Sequence, residues 1–314
     1  MGISYFTKQK LGEGTYAVIY LAEEYHTESK NICIVKSPPL NTEPIRKVAI
    51  KKIKKNTRSN GIEVSAIREI KVLKRISHDN LIKMYEVFAD NGSIHLVLEY
   101  LEGTLEDIIK NSSVIIMPGD IKAWMKMILQ GLGALHDKWI LHRDMKPNNI
   151  LVGSNGGIKI ADMGLSREIS QDEMSCQAIT RWYRPPEMLL GAKRYSFGAD
   201  MWGVGCIMAE LFLRVPFLAG DDDFKQLEII FRAFGTPTKE EWCDMTDLPN
   251  FINYPWYPKT PLKGYFTAAG PDAINLLEQF FVYNPLKRIT CWKAMQHEYF
   301  KNKPEPTRLE KLPK

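Results

Sequence analysis

His142-Arg143-Asp144-Met145-Lys146-Pro147-Asn148-Asn149 is the stretch from which the rest of the chain is read. It places a carboxylate, an amine and a carboxamide in one short loop. A phosphoryl acceptor hydroxyl needs a carboxylate to orient it and take its proton late, which is the part read for Asp144. Lys146 would steady the group in transit, and Asn149 would supply an oxygen ligand for a metal. Thirteen residues after Asn149, Asp162-Met163-Gly164 follows the strand-like run Ile158-Lys159-Ile160 and offers a second carboxylate suited to Mg2+. Order, spacing and local pattern agree, and chance is a poor explanation of them.

The sequence just before the loop is helical. Ile121, Met125, Ile128, Leu129, Leu132 and Leu135 recur at three and four. The residues up to about Tyr100 read differently. Val18-Ile19-Tyr20-Leu21, Val48-Ala49-Ile50 and Ile94-His95-Leu96-Val97-Leu98 are strand-like, with one helix expected over 62–75. The expected fold class is therefore α+β with two lobes: a small β-sheet lobe with one main helix over 1–101 and a larger helical lobe over 102–300. The stretch 24–47, with Pro38-Pro39, reads as an insertion between strands, and 301–314 as a flexible tail.

Three features of the first lobe suit a phosphate ligand. Gly12-Glu13-Gly14-Thr15-Tyr16-Ala17-Val18 is a glycine-rich turn between strands, where bare backbone N–H groups can approach phosphates. Alone it is as well explained by a hairpin. No helix begins after it, so a dinucleotide-binding reading fails and a strand-loop-strand reading survives. Lys51 ends the apolar run Val48-Ala49-Ile50, and a buried ammonium needs an anion. The plainer alternative is a basic import signal made with Lys52, Lys54, Lys55 and Arg58. On the helix, Ile62, Ala66, Glu69 and Leu73 share one face, so Glu69 points inward and Lys51 is its natural partner. Val64, Ile67 and Ile70 form a second apolar face, read as a partner surface with simple core burial as the alternative.

Composition narrows the class further. The 314 residues carry 42 basic and 37 acidic side chains, a formal charge of +5, with no basic cluster beyond 51–58, so direct nucleic-acid binding is not expected. The five cysteines have no paired spacing, which argues against a zinc site or a disulfide framework. The longest apolar run, 201–213, contains Glu210 and is too short for a membrane span. Phe6 stands where a myristoylation signal has Ser or Thr.

From about Tyr5 to Phe300 the sequence resembles eukaryotic protein kinases. Glu63-Val64-Ser65-Ala66-Ile67-Arg68-Glu69 is similar to the cyclin-binding helix of cyclin-dependent kinases. Thr180-Arg181-Trp182-Tyr183-Arg184-Pro185-Pro186-Glu187 is similar to the end of their activation segment. Trp139-Ile140-Leu141-His142-Arg143-Asp144, Leu213-Arg214-Val215-Pro216-Phe217-Leu218 and Phe234-Gly235-Thr236-Pro237-Thr238 most resemble the CDK-activating kinases that also serve general transcription factor H (TFIIH).

That resemblance implies a nuclear serine/threonine kinase using ATP and Mg2+. Its partners would be an H-type cyclin, an assembly subunit and TFIIH, and its protein substrates RNA polymerase II C-terminal repeats and activation loops of other cyclin-dependent kinases. A cell-cycle kinase without a transcription role is the nearest alternative. A catalytically dead scaffold has no need of Lys51, Glu69, Asp144, Asn149 and Asp162 together, and a metabolic small-molecule kinase has none for the peptide-docking end of 162–187.

Residue by residue, the resemblance makes Leu11, Gly12, Glu13, Gly14, Thr15, Tyr16, Ala17, Val18, Ile19, Ala49, Lys51, Glu99, Leu101 and Leu151 nucleotide-binding. It assigns Ile179 and Arg184 to a wall favouring proline after the acceptor. Asp200 would tie the catalytic loop, and Glu187 would pair with Arg288. Ser175 matches the activating phosphoacceptor, with Arg68, Arg143 and Arg167 expected to grip its phosphate. Met163, Pro185, Thr104 and Leu98 depart from the usual pattern without removing a catalytic group.

Overall fold

The computed structural model describes residues 2–14, 17–28, 31–40, 42–54, 63–170, 172–175 and 179–314. The chain divides into two compact units, Met1–Glu102 and Gly103–Lys314. The smaller unit contains strands β1 (Gly2–Glu13), β2 (Ala17–Thr27), β3 (Cys33–Val35) and β4 (Arg46–Ile53), helix α1 (Val64–Arg75), and strands β5 (Met84–Asp90) and β6 (Ser93–Glu99). Its strands form one sheet in the order β3-β1-β2-β4-β6-β5.

The alternation of β4 sorts the sheet's two faces, because successive side chains point to opposite sides. Val48 and Ile50 are fully buried with Tyr5, Ala22, Phe88 and Val97 in a closed core. Ala49 and Lys51 lie on the other face, and Lys51 pairs in register with Ile19 on one side and Leu96 on the other. α1 contributes buried Ala66, Glu69, Val72 and Leu73, while Val64 and Ile67 remain exposed. Ile62, expected at the start of this helix, lies outside the described residues, as do Lys55 and Arg58.

The stretch 24–47 is not a plain insertion. Its first residues complete β2, its last begin β4, and Cys33–Val35 adds a parallel edge strand beside Ser4, Tyr5 and Phe6 of β1. Glu24, nearly inaccessible, accepts two hydrogen bonds from Arg46, which joins the ends of the excursion.

The larger unit begins with β7 (Gly103–Thr104) and α2 (Leu105–Lys110). Then come α3 (Pro118–His136), β8 (Ile140–Leu141), β9 (Ile150–Val152), β10 (Ile158–Ile160) and β11 (Arg167–Glu168), followed by α4 (Pro186–Leu189), α5 (Gly198–Leu213), α6 (Asp223–Phe234), α7 (Pro271–Phe280) and α8 (Cys291–Met295). α3 starts with proline in its first turn, and the Asp120 carboxylate accepts from Met117 N at 2.8 Å. α5 is buried almost all round, as expected of a helix with no polar face. Gly203 lets it approach the Asp144 loop, since a Cβ there would stand 3.0 Å from Met145 Cβ and O. None of the described helices is long and apolar enough to cross a membrane.

Thr104 caps α2: its hydroxyl accepts from Asp107 N, and its own N donates to the Asp107 carboxylate in return. The residues 301–314, expected to be loose, are packed on the larger unit. Lys122, buried on α3, donates to the carbonyls of Asn302 and Pro304, Thr307 N donates to Gly119 O, and Leu312 is buried.

Candidate active site

In the smaller unit the glycine-rich turn is a hairpin, with Gly12 paired to Ile19, Glu13 to Val18, and Gly14 N donating to Ala17 O at 2.9 Å. A Cβ built on Gly12 would meet nothing within 4 Å, and on Gly14 only Ala17 O at 4.0 Å, so open space lies beside this backbone. Lys10 and Lys54 both pair with Glu13 and hold its carboxyl down to about 2. Thr15 and Tyr16 lie outside the described residues. Leu11 is exposed at the end of β1, Ala17 is buried in β2, and Ala49 pairs with Leu21 and Leu98. Glu99 closes β6, and Leu101 follows it.

Glu69 is 2% exposed, and its carboxylate takes Lys51 Nζ at 2.7 and 3.0 Å. A carboxylate so buried is tolerable only when paired, and the pair in turn fixes an ammonium on the face of β4 away from the core. Arg68, the neighbouring residue on α1, is half-buried in this same unit.

In the larger unit the His142–Asn149 loop is held from below by Asp200, near the start of α5. Its oxygens accept from His142 N at 2.9 Å and Arg143 N at 2.8 Å, and His136 Nε2 lies 2.9 Å away. Burial pushes the Asp200 carboxyl up, but the hydrogen bonds and charge of His136, with help from His142 and the Arg143 amide, leave it below its ordinary value. Asp144 N donates to His142 Nδ1, and His142 Nε2 meets Ala161 O at 3.0 Å. Arg143 at φ +70° and Asp162 at φ +60° occupy the left-handed region, a strain that surrounding contacts must hold in place.

Asp144 gathers the chemistry. Its Oδ2 stands 2.7 Å from Lys146 Nζ and accepts from Asn149 Nδ2 at 2.9 Å, and its Oδ1 accepts the Thr180 hydroxyl at 2.8 Å. Lys146 also donates to Thr180 Oγ1. Thr180 was quoted in the sequence only as part of the activation segment; its place just ahead of Arg181-Trp182-Tyr183-Arg184 is the signal that could have drawn it into the site.

With Nδ2 turned to Asp144, Asn149 keeps its amide oxygen for a hard cation. The β9–β10 hairpin brings Asp162 alongside through Ala161 N, which donates to Asn149 O at 2.9 Å. No group of three or more His, Cys, Asp or Glu suited to a metal occurs among the described residues. One carboxylate and one amide oxygen fit Mg2+ that completes its octahedron with phosphate and water. Leu151 is half-buried in β9, paired with Thr104.

Ser175 has an exposed side chain, and its carbonyl accepts from Tyr195 OH at 2.9 Å and Arg143 Nη2 at 3.5 Å. Arg167 reaches the same strap at Glu173 O, 3.1 Å away. Of the three arginines assigned to a phosphate, these two therefore meet 173–175 within the larger unit. Further along, Arg184 donates twice to Ile179 O, at 2.9 and 3.1 Å, and pairs with Asp223. Glu187 and Arg288 form a buried two-bond pair at 2.9 and 3.0 Å.

This constellation on this fold is that of a phosphotransferase, and the chain belongs to the protein kinase family, whose domain model matches residues 5–300. Over nearly its whole length it is related to serine/threonine kinases of the cyclin-dependent group. It is 50% identical to the probable serine/threonine-protein kinase KIN28 homolog of Encephalitozoon cuniculi, covering 99% of each chain. It is 45% identical to cyclin-dependent kinase 7 of Xenopus laevis, covering 97% of this chain and 83% of that one. A solved chain of the CAK complex of Chaetomium thermophilum bound to ATP-γ-S superposes with a TM-score of 0.88 at 38% identity, covering 98% and 94% of the two chains.

Proposed function

We propose that this serine/threonine kinase is the catalytic subunit of a CDK-activating complex that also serves TFIIH in the nucleus. It would phosphorylate serine or threonine followed by proline in RNA polymerase II C-terminal repeats and in activation loops of other cyclin-dependent kinases. Kinship with the KIN28 and cyclin-dependent kinase 7 relatives and with the CAK chain supports this reading. An H-type cyclin seats on the exposed Val64 and Ile67 of α1, and an assembly subunit completes the complex.

Bound Mg2+ and ATP would supply the γ-phosphoryl group and neutralise its charge. Asn149 and Asp162 would hold the metal, and Lys51, fixed by Glu69, would carry the positive charge for the phosphates. The glycine-rich turn, with Leu11, Ala17, Val18, Ile19, Ala49, Glu99, Leu101 and Leu151, binds the nucleotide. Asp144 orients the acceptor hydroxyl and takes its proton, Thr180 fixes the Asp144 rotamer, and Lys146 steadies the group in transit.

The observation that carries the acceptor preference is the Ile179 carbonyl, which is already taken by two Arg184 bonds. A backbone N–H set against it finds no acceptor and remains unpaired, whereas proline has no N–H to satisfy. The test is a matched pair of peptides, Ser-Pro and Ser-Ala, given to the cyclin-bound complex. The proline peptide is expected to be favoured by about tenfold or more in kcat/KM, the size of one buried unpaired donor. Equal rates would refute the preference.

A further inference from the structure

The strap 173–175 is stapled to the loop 193–195 at three points within the larger unit. Met174 is 3% exposed, and its N donates to Lys193 O at 2.8 Å. Lys193 Nζ pairs with Glu173 at 3.0 Å. Tyr195 OH donates to Ser175 O at 2.9 Å. The Tyr195 ring also lies beneath Arg143, whose guanidinium carbon is 5.7 Å from the ring centroid. Arg143 itself belongs to the catalytic loop and has its backbone N fixed by Asp200. One buried phenol thus touches the activation segment with its hydroxyl and the catalytic loop with its ring.

We propose that Tyr195 is a positioning residue for the kinase reaction, locking the activation segment to the catalytic loop through the Ser175 carbonyl and Arg143 without any phosphate. The hydroxyl is suited to the task because burial raises its pKa and keeps it a donor. The tether uses a main-chain carbonyl, which Ser175→Ala retains. The inference therefore rests on kinase activity alone and not on phosphorylation of Ser175.

Tyr195→Phe removes the hydroxyl and keeps the ring. It is to be made in the Ser175→Ala background and assayed as the cyclin-bound complex. Loss of one hydrogen bond to an ordered segment is expected to lower kcat/KM about fivefold, mainly through a higher KM for the protein acceptor, with the KM for ATP and the Tm unchanged. Limited proteolysis between 169 and 179 should quicken, and Lys193→Ala, which loosens the strap at its other end, should quicken it too. Unchanged kcat/KM in the Tyr195→Phe, Ser175→Ala protein would overturn the proposal. So would unchanged cleavage in both variants, or a loss that arrives with a lowered Tm and an equally raised KM for ATP.

Discussion

Thr180 donates its hydroxyl to Asp144 Oδ1 at 2.8 Å while accepting from Lys146 Nζ at 2.9 Å. Thr180 is therefore wired to the carboxylate proposed to receive the acceptor's proton, and Asp144 has donors against both of its oxygens. Replacing one oxygen by an amide nitrogen sets an N–H against these donors and removes the proton acceptor.

Asp144→Asn is accordingly expected to lower kcat by about a hundredfold or more, within the usual range for loss of a general base. ATP affinity should stay within about threefold, because the role proposed for Asp144 is toward the acceptor and not the nucleotide. Single-turnover phosphate transfer and a nucleotide titration on the same preparation separate the two. Near-parental turnover would remove Asp144 from the catalytic role.

Helix α1 buries Glu69 beside Lys51 and leaves Val64 and Ile67 exposed on its opposite side. Ile67→Asp places a charge on a surface already in water, so the Tm of the isolated chain should move by no more than about 1 °C. Against an apolar partner that same charge must be desolvated, and cyclin capture should fall at least tenfold. A variant that copurifies normally with its cyclin would place the interface elsewhere.

Much of this was legible in the sequence because it depends on short spacings. The Asp144 loop, the Asp162 hairpin and the inward face carrying Glu69 each follow from residues close together in the chain. What escaped depends on distant backbone atoms. A carbonyl has no sequence signature, so nothing in Lys122 announces that it will be buried against Asn302 O and Pro304 O, or in Tyr195 that it will find Ser175 O. Cys33-Ile34-Val35 was passed over for a related reason: a three-residue edge strand exists only because β1 is there to pair with it.

Glu210 gives the fold a pH dependence of known sign. Burial raises its carboxyl above the ordinary value of 4.5, and Tyr183 OH, donating at 2.7 Å, offsets only part of that. The folded chain therefore holds the proton more tightly than the unfolded chain. Stability is fully present below the unfolded value and is lost as pH rises through the higher folded one. Glu210→Gln keeps an acceptor for Tyr183 and never ionises. Its Tm relative to the parent should rise as pH climbs above the ordinary carboxylate range. A constant difference as pH climbs would show that Glu210 ionises without cost.

Ser175 is the residue we expect to carry the activating phosphate. Its side chain is exposed, while Arg143 and Arg167 already contact the carbonyls of Ser175 and Glu173. Adding close to two negative charges and three acceptor oxygens there would let both arginines exchange neutral partners for charged ones, each such bond contributing about 1.5–3 kcal/mol before ordering is subtracted. Arg68 on α1 is the third arginine assigned to the phosphate, and its engagement would couple the helix proposed to seat the cyclin to the same anchor. The neutral tether through Tyr195 sets a floor, so phosphorylation should raise kcat/KM for a protein acceptor by about tenfold and leave the unphosphorylated complex measurably active. Ser170, hydrogen-bonded to Asp172, is the rival acceptor. Mass spectrometry of the active complex is expected to place phosphate on Ser175, and Arg167→Ala should remove most of the gain while sparing the unphosphorylated rate. A complex with no phosphate on Ser175, together with a Ser175→Ala variant as active as the parent in every assembly, would refute the assignment.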